Sequence, residues 1–169
     1  MEQLWIHWAG WILLGLCALI LSGCASSGGQ KIVTRFGGDN LAPGPQGQEV
    51  TIMAMHLLDT GYKFGGKNPE AGLDCSGMVS WLYKQGADYP LKGSARDMAK
   101  RGKSIPPEAV RPGDLLFFNT RGYSYSHVGI YIGDQRFVHA PNSRGKVRIE
   151  RLDQGWFAMR FEEARTYFD

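Results

Sequence analysis

Cysteine is scarce, with three in 169 residues at Cys17, Cys24 and Cys75. Cys17 lies inside an apolar N-terminal run and Cys24 ends it, so removal of that run leaves Cys75 as the one thiol of the globular part. A framework of disulfides within one mature chain is thereby excluded unless Cys24 stays free. A lone thiol in an exported protein is a liability unless it is buried or used. Charge is also thin at the start, where Glu2 is the only formally charged side chain before position 24. The whole chain carries a formal charge of +3. No basic stripe with interleaved aromatics is present, which argues against a nucleic-acid partner. There is no internal repeat of the kind that builds solenoids. No apolar run reaches the roughly 20 residues a bilayer crossing needs.

The longest apolar run, from Trp11 to Leu21, is uncharged and has the length of a signal-peptide core. It leads into Leu21-Ser22-Gly23-Cys24, which resembles the bacterial lipoprotein box. That resemblance implies cleavage before Cys24 and lipid attachment to its thiol. The first ten residues hold no Lys or Arg, a departure from the basic start of such signals. Ala25 stands where a signal for inner-membrane retention usually has Asp, so an outer-membrane anchor facing the periplasm is expected. Residues 24–48 then read as a lipid-bearing, Gly-, Ser- and Pro-rich tether, and 49–169 as a single folded domain.

Within that domain, Val50, Met53, Leu57 and Leu58 recur at helical spacing and predict a helix over Glu49 to Thr60. Cys75 to Gln85 reads as a second helix, with Met78, Val79, Leu82 and Tyr83 as its apolar face and Gly86 as its end. A short third helix follows, Ser94 to Arg101, capped by Ser94. After Pro112-Gly113 the texture becomes that of strands: Leu115 to Phe118, Val128 to Ile132, Arg136 to Ala140 and Val147 to Arg151, with a hairpin turn at Gly133-Asp134. Helices followed by a meander of strands predict an α+β fold with an antiparallel sheet.

Asp74 suits an N-cap, which puts Cys75 at the first position of its helix. Unpaired backbone N–H groups and the positive end of the helix dipole lie there, a setting that lowers a thiol's pKa and can hold an oxyanion. The competing reading is a small residue packed under a cap. His127 opens a strongly apolar strand, at its edge, where an imidazole can reach a thiol and still meet solvent. His139 ends the neighbouring strand, and a turn at Gly133 would set the two histidines side by side across the ladder. One helix-start thiol and two register-paired imidazoles together point to nucleophilic catalysis.

The segments Tyr62-Lys63-Phe64-Gly65-Gly66, Leu73-Asp74-Cys75-Ser76-Gly77, Arg111-Pro112-Gly113-Asp114-Leu115, Ser126-His127-Val128-Gly129-Ile130-Tyr131 and Val138-His139-Ala140 resemble, in order and spacing, the NlpC-type family of papain-like peptidoglycan endopeptidases. The resemblance implies N-terminal helices packed on an antiparallel sheet of about five to six strands. It implies Cys75 as nucleophile, His127 as base and then acid, and His139 as the group that accepts a hydrogen bond from His127. Tyr62 would join the Cys75 N–H in the oxyanion hole, and Asp74 and Ser76 would meet the free amine of a stem peptide. The implied reaction is cleavage of a wall stem peptide, commonly between γ-linked D-glutamate and meso-diaminopimelate, through a thioester and without cofactor or metal. A monomer is expected, anchored to the membrane by the lipid on Cys24.

Three rivals keep the same residues. An amidase or acyltransferase would hand the thioester to another acceptor. A zinc centre would use Cys75, His127 and His139 as ligands. A wall-binding lipoprotein would use none of them chemically. Arg96 and Arg111 read as solvated surface, with substrate carboxylates as the alternative partner, and Lys146, Arg148 and His56 read as surface or structural residues.

Overall fold

The computed structural model describes residues 35–38, 41–141 and 145–168; the signal segment and Cys24 lie outside them. The first helix, α1 (Pro45–His56), starts four residues before the expected Glu49. Pro45 occupies its first turn, where a missing N–H costs nothing and a fixed φ is already helical. Helix α2 (Cys75–Ala87) runs past the expected stop at Gly86 to Asp88, whose φ of 48° closes it in the left-handed region. Gly86 serves instead as the point where the two helices touch, since a Cβ there would lie 3.2 Å from the Val50 backbone. Helix α3 (Ala95–Ala99) opens with a full capping box between Ser94 and Asp97.

Two short strands, β1 (Lys67–Asn68) and β2 (Gly72–Leu73), pair just ahead of α2. The main sheet has six strands: β3 (Lys103–Ile105), β4 (Leu115–Phe118), β5 (His127–Gly133), β6 (Arg136–His139), β7 (Arg148–Arg151) and β8 (Phe161–Thr166). Their order is β3-β8-β4-β5-β6-β7, antiparallel at every pairing. This is the expected α+β architecture. The final strand, β8, enters between β3 and β4, and the sequence pattern did not foretell it. Its Phe161-Glu162-Glu163-Ala164-Arg165-Thr166 run buries only Ala164 deeply, and Glu163 and Arg165 pair with each other at 2.9 Å.

Side chains alternate across β4 as a period of two requires. Leu115 and Phe117 join Met78, Leu82, Tyr83, Val128 and Ile130 on the helix side. Leu116 and Phe118 join Tyr131, Phe137, Phe157 and Ala164 on the other. Each such buried side chain contributes about 1.5–3 kcal/mol of transfer free energy. Phe157 comes from α4 (Gly155–Ala158), a turn of helix also absent from the sequence pattern. Phe36 lies within the stretch expected to be spacer, yet it is buried in this second cluster. The Tyr131 hydroxyl donates to its carbonyl at 3.1 Å. The distal part of the proposed tether, from Phe36 on, therefore packs with the folded unit.

The Arg111-Pro112-Gly113-Asp114 motif is structural. Asp114 Oδ2 accepts the Arg111 N–H at 2.8 Å, and the Tyr83 hydroxyl donates to the Gly113 carbonyl at 2.7 Å. Gly113, at φ 98°, approaches Gly47 so closely that a Cβ would sit 2.4 Å from the Gly47 Cα. The motif thus locks α1 and α2 onto the sheet that carries the histidines.

Candidate active site

Asp74 caps α2 as expected. Its Oδ1 accepts the Gly77 N–H at 2.7 Å and the Ser76 hydroxyl at 3.0 Å, and its Oδ2 accepts the Gly65 N–H at 2.8 Å. One carboxylate therefore ties the helix start to the glycine loop before it. The fit is tight: a Cβ on Gly77 would fall 1.8 Å from the Gly66 carbonyl oxygen. This packing sets Cys75 at the first position of α2, half-buried. The backbone N–H groups of Val128 and Ser76 lie near enough to its sulfur to favour the thiolate. Val128 follows His127 on β5, so α2 presses the thiol against the very start of the strand that carries the histidine.

His127 and His139 meet. Their Nε2 and Nδ1 atoms are 2.7 Å apart and their rings cross at 89°. The turn that brings them together differs from the expected one. It falls at Asp134 and Gln135, with φ of 51° and 58°, as a type I′ hairpin favours. The register is Ile130 with Val138 and Tyr131 with Phe137, and it shifts before Gly133 pairs with Arg136. Carried one residue further, it sets His139 opposite Gly129, so the two imidazoles meet along the diagonal of the ladder rather than directly across it. Gly129 has no Cβ, and one there would lie 2.5 Å from the Phe137 ring.

His127 is more secluded than its place at a strand end suggests, only 4% exposed, with Phe118 and Phe157 against its ring. His139 is fully buried between Phe137 and Phe157. Burial pushes His127 down to about 3, helped by the charge of Arg121 and opposed by Asp74. His139 is held well below its ordinary value by burial, then by His127 and Arg148. The thiol moves opposite to the helix-start expectation: burial and the Asp74 carboxylate raise Cys75 to about 11, outweighing the two backbone N–H groups. The free site is thus a neutral thiol beside neutral imidazoles.

Tyr62 stands within electrostatic reach of Cys75 and Arg121. Its phenol is raised chiefly by burial and then by the Cys75 charge. Tyr62, Asp74, Cys75 and Ser76 line one groove together with Arg96 and Arg121. Sequence reasoning passes over Arg121, whose side chain approaches the hydroxyls of Tyr62 and Tyr123. It also misses the role of Ser126, whose hydroxyl accepts the Thr120 N–H at 2.8 Å and the Arg121 N–H at 3.2 Å and so shapes the loop carrying Arg121. The only available signal was a basic residue six positions ahead of His127. Arg111 lies in another cleft, Lys146 faces Asp59 at 3.9 Å, and Arg148 pairs with Glu150 at 2.8 Å. Among the described residues, no three His, Cys, Asp or Glu side chains converge on a point that could hold a metal ion. No described helix is long and apolar enough to cross a membrane.

A thiol at a helix start, packed on an antiparallel sheet that presents two hydrogen-bonded imidazoles, defines a papain-like domain of the cysteine-peptidase class. The chain belongs to the NlpC/P60 family, which it matches over residues 59–166. It is 31% identical to "Probable endopeptidase NlpC" of Escherichia coli K12 over 163 residues, covering 90% of this chain and 96% of that one. It is 36% identical over 104 residues to "Murein DD-endopeptidase MepS/Murein LD-carboxypeptidase" of the same strain, covering 62% of this chain and 54% of that one. It is 32% identical over 137 residues to "Gamma-DL-glutamyl hydrolase" of Bacillus subtilis, covering 79% of this chain and 33% of that one. The chain thus spans a third to about half the length of several of these relatives. Among solved structures it resembles the NlpC/p60 domain of the peptidoglycan hydrolase SagA, with a TM-score of 0.62 and 31% identity over 71% of this chain and 97% of that one.

Proposed function

We propose that this protein is a cysteine endopeptidase of bacterial peptidoglycan, cutting a stem-peptide bond in the wall. The observation that carries the proposal is the thiol of Cys75 held against the first residues of β5, beside a 2.7 Å pair of imidazoles. His127, its Nε2 engaged by His139, offers Nδ1 to the thiol and accepts its proton as sulfur attacks the amide carbon. The Cys75 N–H and the Tyr62 hydroxyl meet the oxyanion. When the C–N bond breaks, His127 returns the proton to the leaving amine. Water, deprotonated by the same imidazole, then splits the thioester and regenerates the thiol. Asp74 and Ser76, which line the groove with the thiol, would hold a substrate amine.

The bond is proposed as γ-D-glutamyl–meso-diaminopimelate. The named relatives support a second reading, cleavage of the D-alanyl cross-link to the diamino acid, because two of them, at 31% and 36% identity, are called murein DD-endopeptidases. An amidase or acyltransferase would use the same thioester. We further propose that Cys24 carries the lipid and that the domain works in the periplasm from the outer membrane.

Digestion of purified sacculi, with mass spectrometry of the new termini, tests the reaction. Release of peptides with new D-glutamate carboxylates and free diamino-acid amines, absent with Cys75→Ala, is expected. New D-alanine carboxylates would select the second reading, and transfer of the acyl group to an added amine would select an acyltransferase. Intact sacculi, or cleavage that survives Cys75→Ala, would overturn the peptidase.

A further inference from the structure

The cleft beside Cys75 is one of two that Arg121 lines. A second, of about 740 Å³, opens on the far side of Arg121, where His127, Arg148, Trp156 and Phe157 line it and Cys75 does not. Chemistry assigns the two sides. The acyl part of the substrate becomes bonded to sulfur and must lie with Cys75. The leaving amine takes its proton from the imidazole and must depart past His127. The second cleft is therefore the leaving-group side.

Its charges are uneven. Arg148 is matched by Glu150 at 2.8 Å, and Arg151 by Asp153. Arg121 faces the phenols of Tyr62 and Tyr123, and no carboxylate among the described residues forms an ion pair with it, Asp74 acting only across the shared groove. Ser126 accepts the backbone N–H of Arg121, and Arg121 lines both clefts, at the boundary between acyl and leaving groups. An exposed Trp156 ring, 46% accessible, offers an apolar wall opposite.

Resting on the peptidase reading, we propose that Arg121 binds a free carboxylate of the leaving diamino acid, so that the enzyme selects substrates with an anionic leaving group. Both candidate bonds release a diamino acid that carries a carboxylate, so the subsite serves either. Guanidinium–carboxylate pairing is bidentate and charge-assisted, and it sets orientation as well as affinity. It also removes an obstacle. The charge of Arg121 opposes protonation of His127 in the free site. A carboxylate docked on Arg121 cancels that charge at the step in which the imidazolium must form. A neutral leaving group leaves it standing.

The test uses the full chain and two sets of soluble muropeptides, identical except that the diamino-acid carboxylate is free in one and amidated in the other. The wild-type protein should cleave the free form about ten- to a hundredfold faster in kcat/KM. Arg121→Gln should bring the two rates within about twofold of each other, and Arg121→Lys should keep most of the preference. A merely structural role for Arg121 would lower both rates together and leave their ratio intact, which would overturn the proposal. Equal cleavage of both sets by the wild type would overturn it too, with the peptidase standing. Cleavage of neither set would take down the peptidase reading and this one with it.

Discussion

The Nε2 of His127 lies 2.7 Å from the Nδ1 of His139, with the two rings nearly perpendicular inside a wall of phenylalanines. One proton lies between these atoms, and its owner decides what His127 can do. If His127 donates from Nε2, its Nδ1 is a bare lone pair, ready to take a proton from sulfur. His139 must then keep its own proton on Nε2, which is buried without a hydrogen-bonding partner among the described atoms. An unpaired buried donor costs about 1–3 kcal/mol, so the productive tautomer is held at some expense, with the Phe157 and Phe137 rings packed against it.

From this follows the behaviour of variants at 139. His139→Asn supplies a carbonyl oxygen to accept the Nε2 proton and should retain most activity. His139→Ala supplies nothing, frees the ring to turn, and should lower kcat by roughly 10²–10⁴-fold with little change in KM. Steady-state kinetics on soluble muropeptides separates these. Equal loss in both variants would mean that His139 only fills space.

The oxyanion assignment rests on Tyr62, which β2 and the glycine loop hold near Cys75. Tyr62→Phe keeps the ring and deletes the donor. It should lower kcat about tenfold to a thousandfold, with KM and the denaturation midpoint nearly unmoved. Full activity in the variant would remove Tyr62 from the oxyanion hole.

Much of this arrangement is written plainly in the sequence, and the reasons are local. Asp74 before a helical apolar stripe announces a cap, and a cap fixes which residue comes first, so Cys75 is placed by short-range chemistry alone. The strands β4 to β7 show themselves through continuous apolar runs. What stays hidden depends on distant partners. The β8 strand looks like a charged surface segment until Arg165 finds Glu163 and Ala164 finds the core between two other strands. Arg121 has no pattern of its own, since its position comes from a Ser126 hydroxyl and from phenols 59 residues upstream and two residues downstream. The hairpin turn falls one residue beyond the position the sequence predicts because a bulge, invisible to periodicity, precedes it.

Protonation in the free site gives a pH signature. With Cys75 near 11, alkylation by iodoacetamide should be slow at pH 7 and should quicken about tenfold per pH unit, without levelling off, through pH 9. Asp74 contributes to that elevation, and Asn can still cap a helix, so Asp74→Asn should bring faster alkylation at pH 7. A plateau below pH 8 in the wild type would indicate a resting thiolate.

The same burial affects stability. The folded pKa of His127, about 3, is below its unfolded value of about 6.5, and that of His139 is shifted the same way. The stabilising contribution is therefore fully present above pH 6.5 and is lost as pH falls towards 3. His127 should reduce unfolding free energy by about 1.4 kcal/mol per pH unit across that window, and His139 acts in the same direction. Asp114, raised by burial, works in the opposite direction, favouring the fold where its carboxyl is protonated. Urea titrations at pH 7.5 and 5.0 should show a clear loss at the lower pH, reduced in His139→Gln. Equal midpoints in the wild type would mean that the imidazoles take up protons without leaving the fold.

The last prediction concerns how little room the nucleophile's helix has. A Cβ on residue 77 would lie 1.8 Å from the Gly66 carbonyl oxygen and 3.2 Å from Asp74 Oδ1. No side chain can rotate away from such a clash, because both obstacles are fixed, one by backbone and one by the cap. The helix start and the glycine loop must separate, which lengthens the hydrogen bonds from Gly77 and Gly65 to Asp74 and carries Cys75 away from the Val128 N–H. Gly77→Ala should cost about 3 kcal/mol or more, beyond ordinary overpacking of a core. It should also abolish cleavage at temperatures where the variant remains folded by circular dichroism. Gly65→Ala meets nothing within 4 Å, yet its φ of 69° leaves only backbone strain, so a smaller loss of about 1 kcal/mol is expected with cleavage preserved. If the two variants were equally stable and equally active, the close approach at Gly77 would not be what positions the thiol.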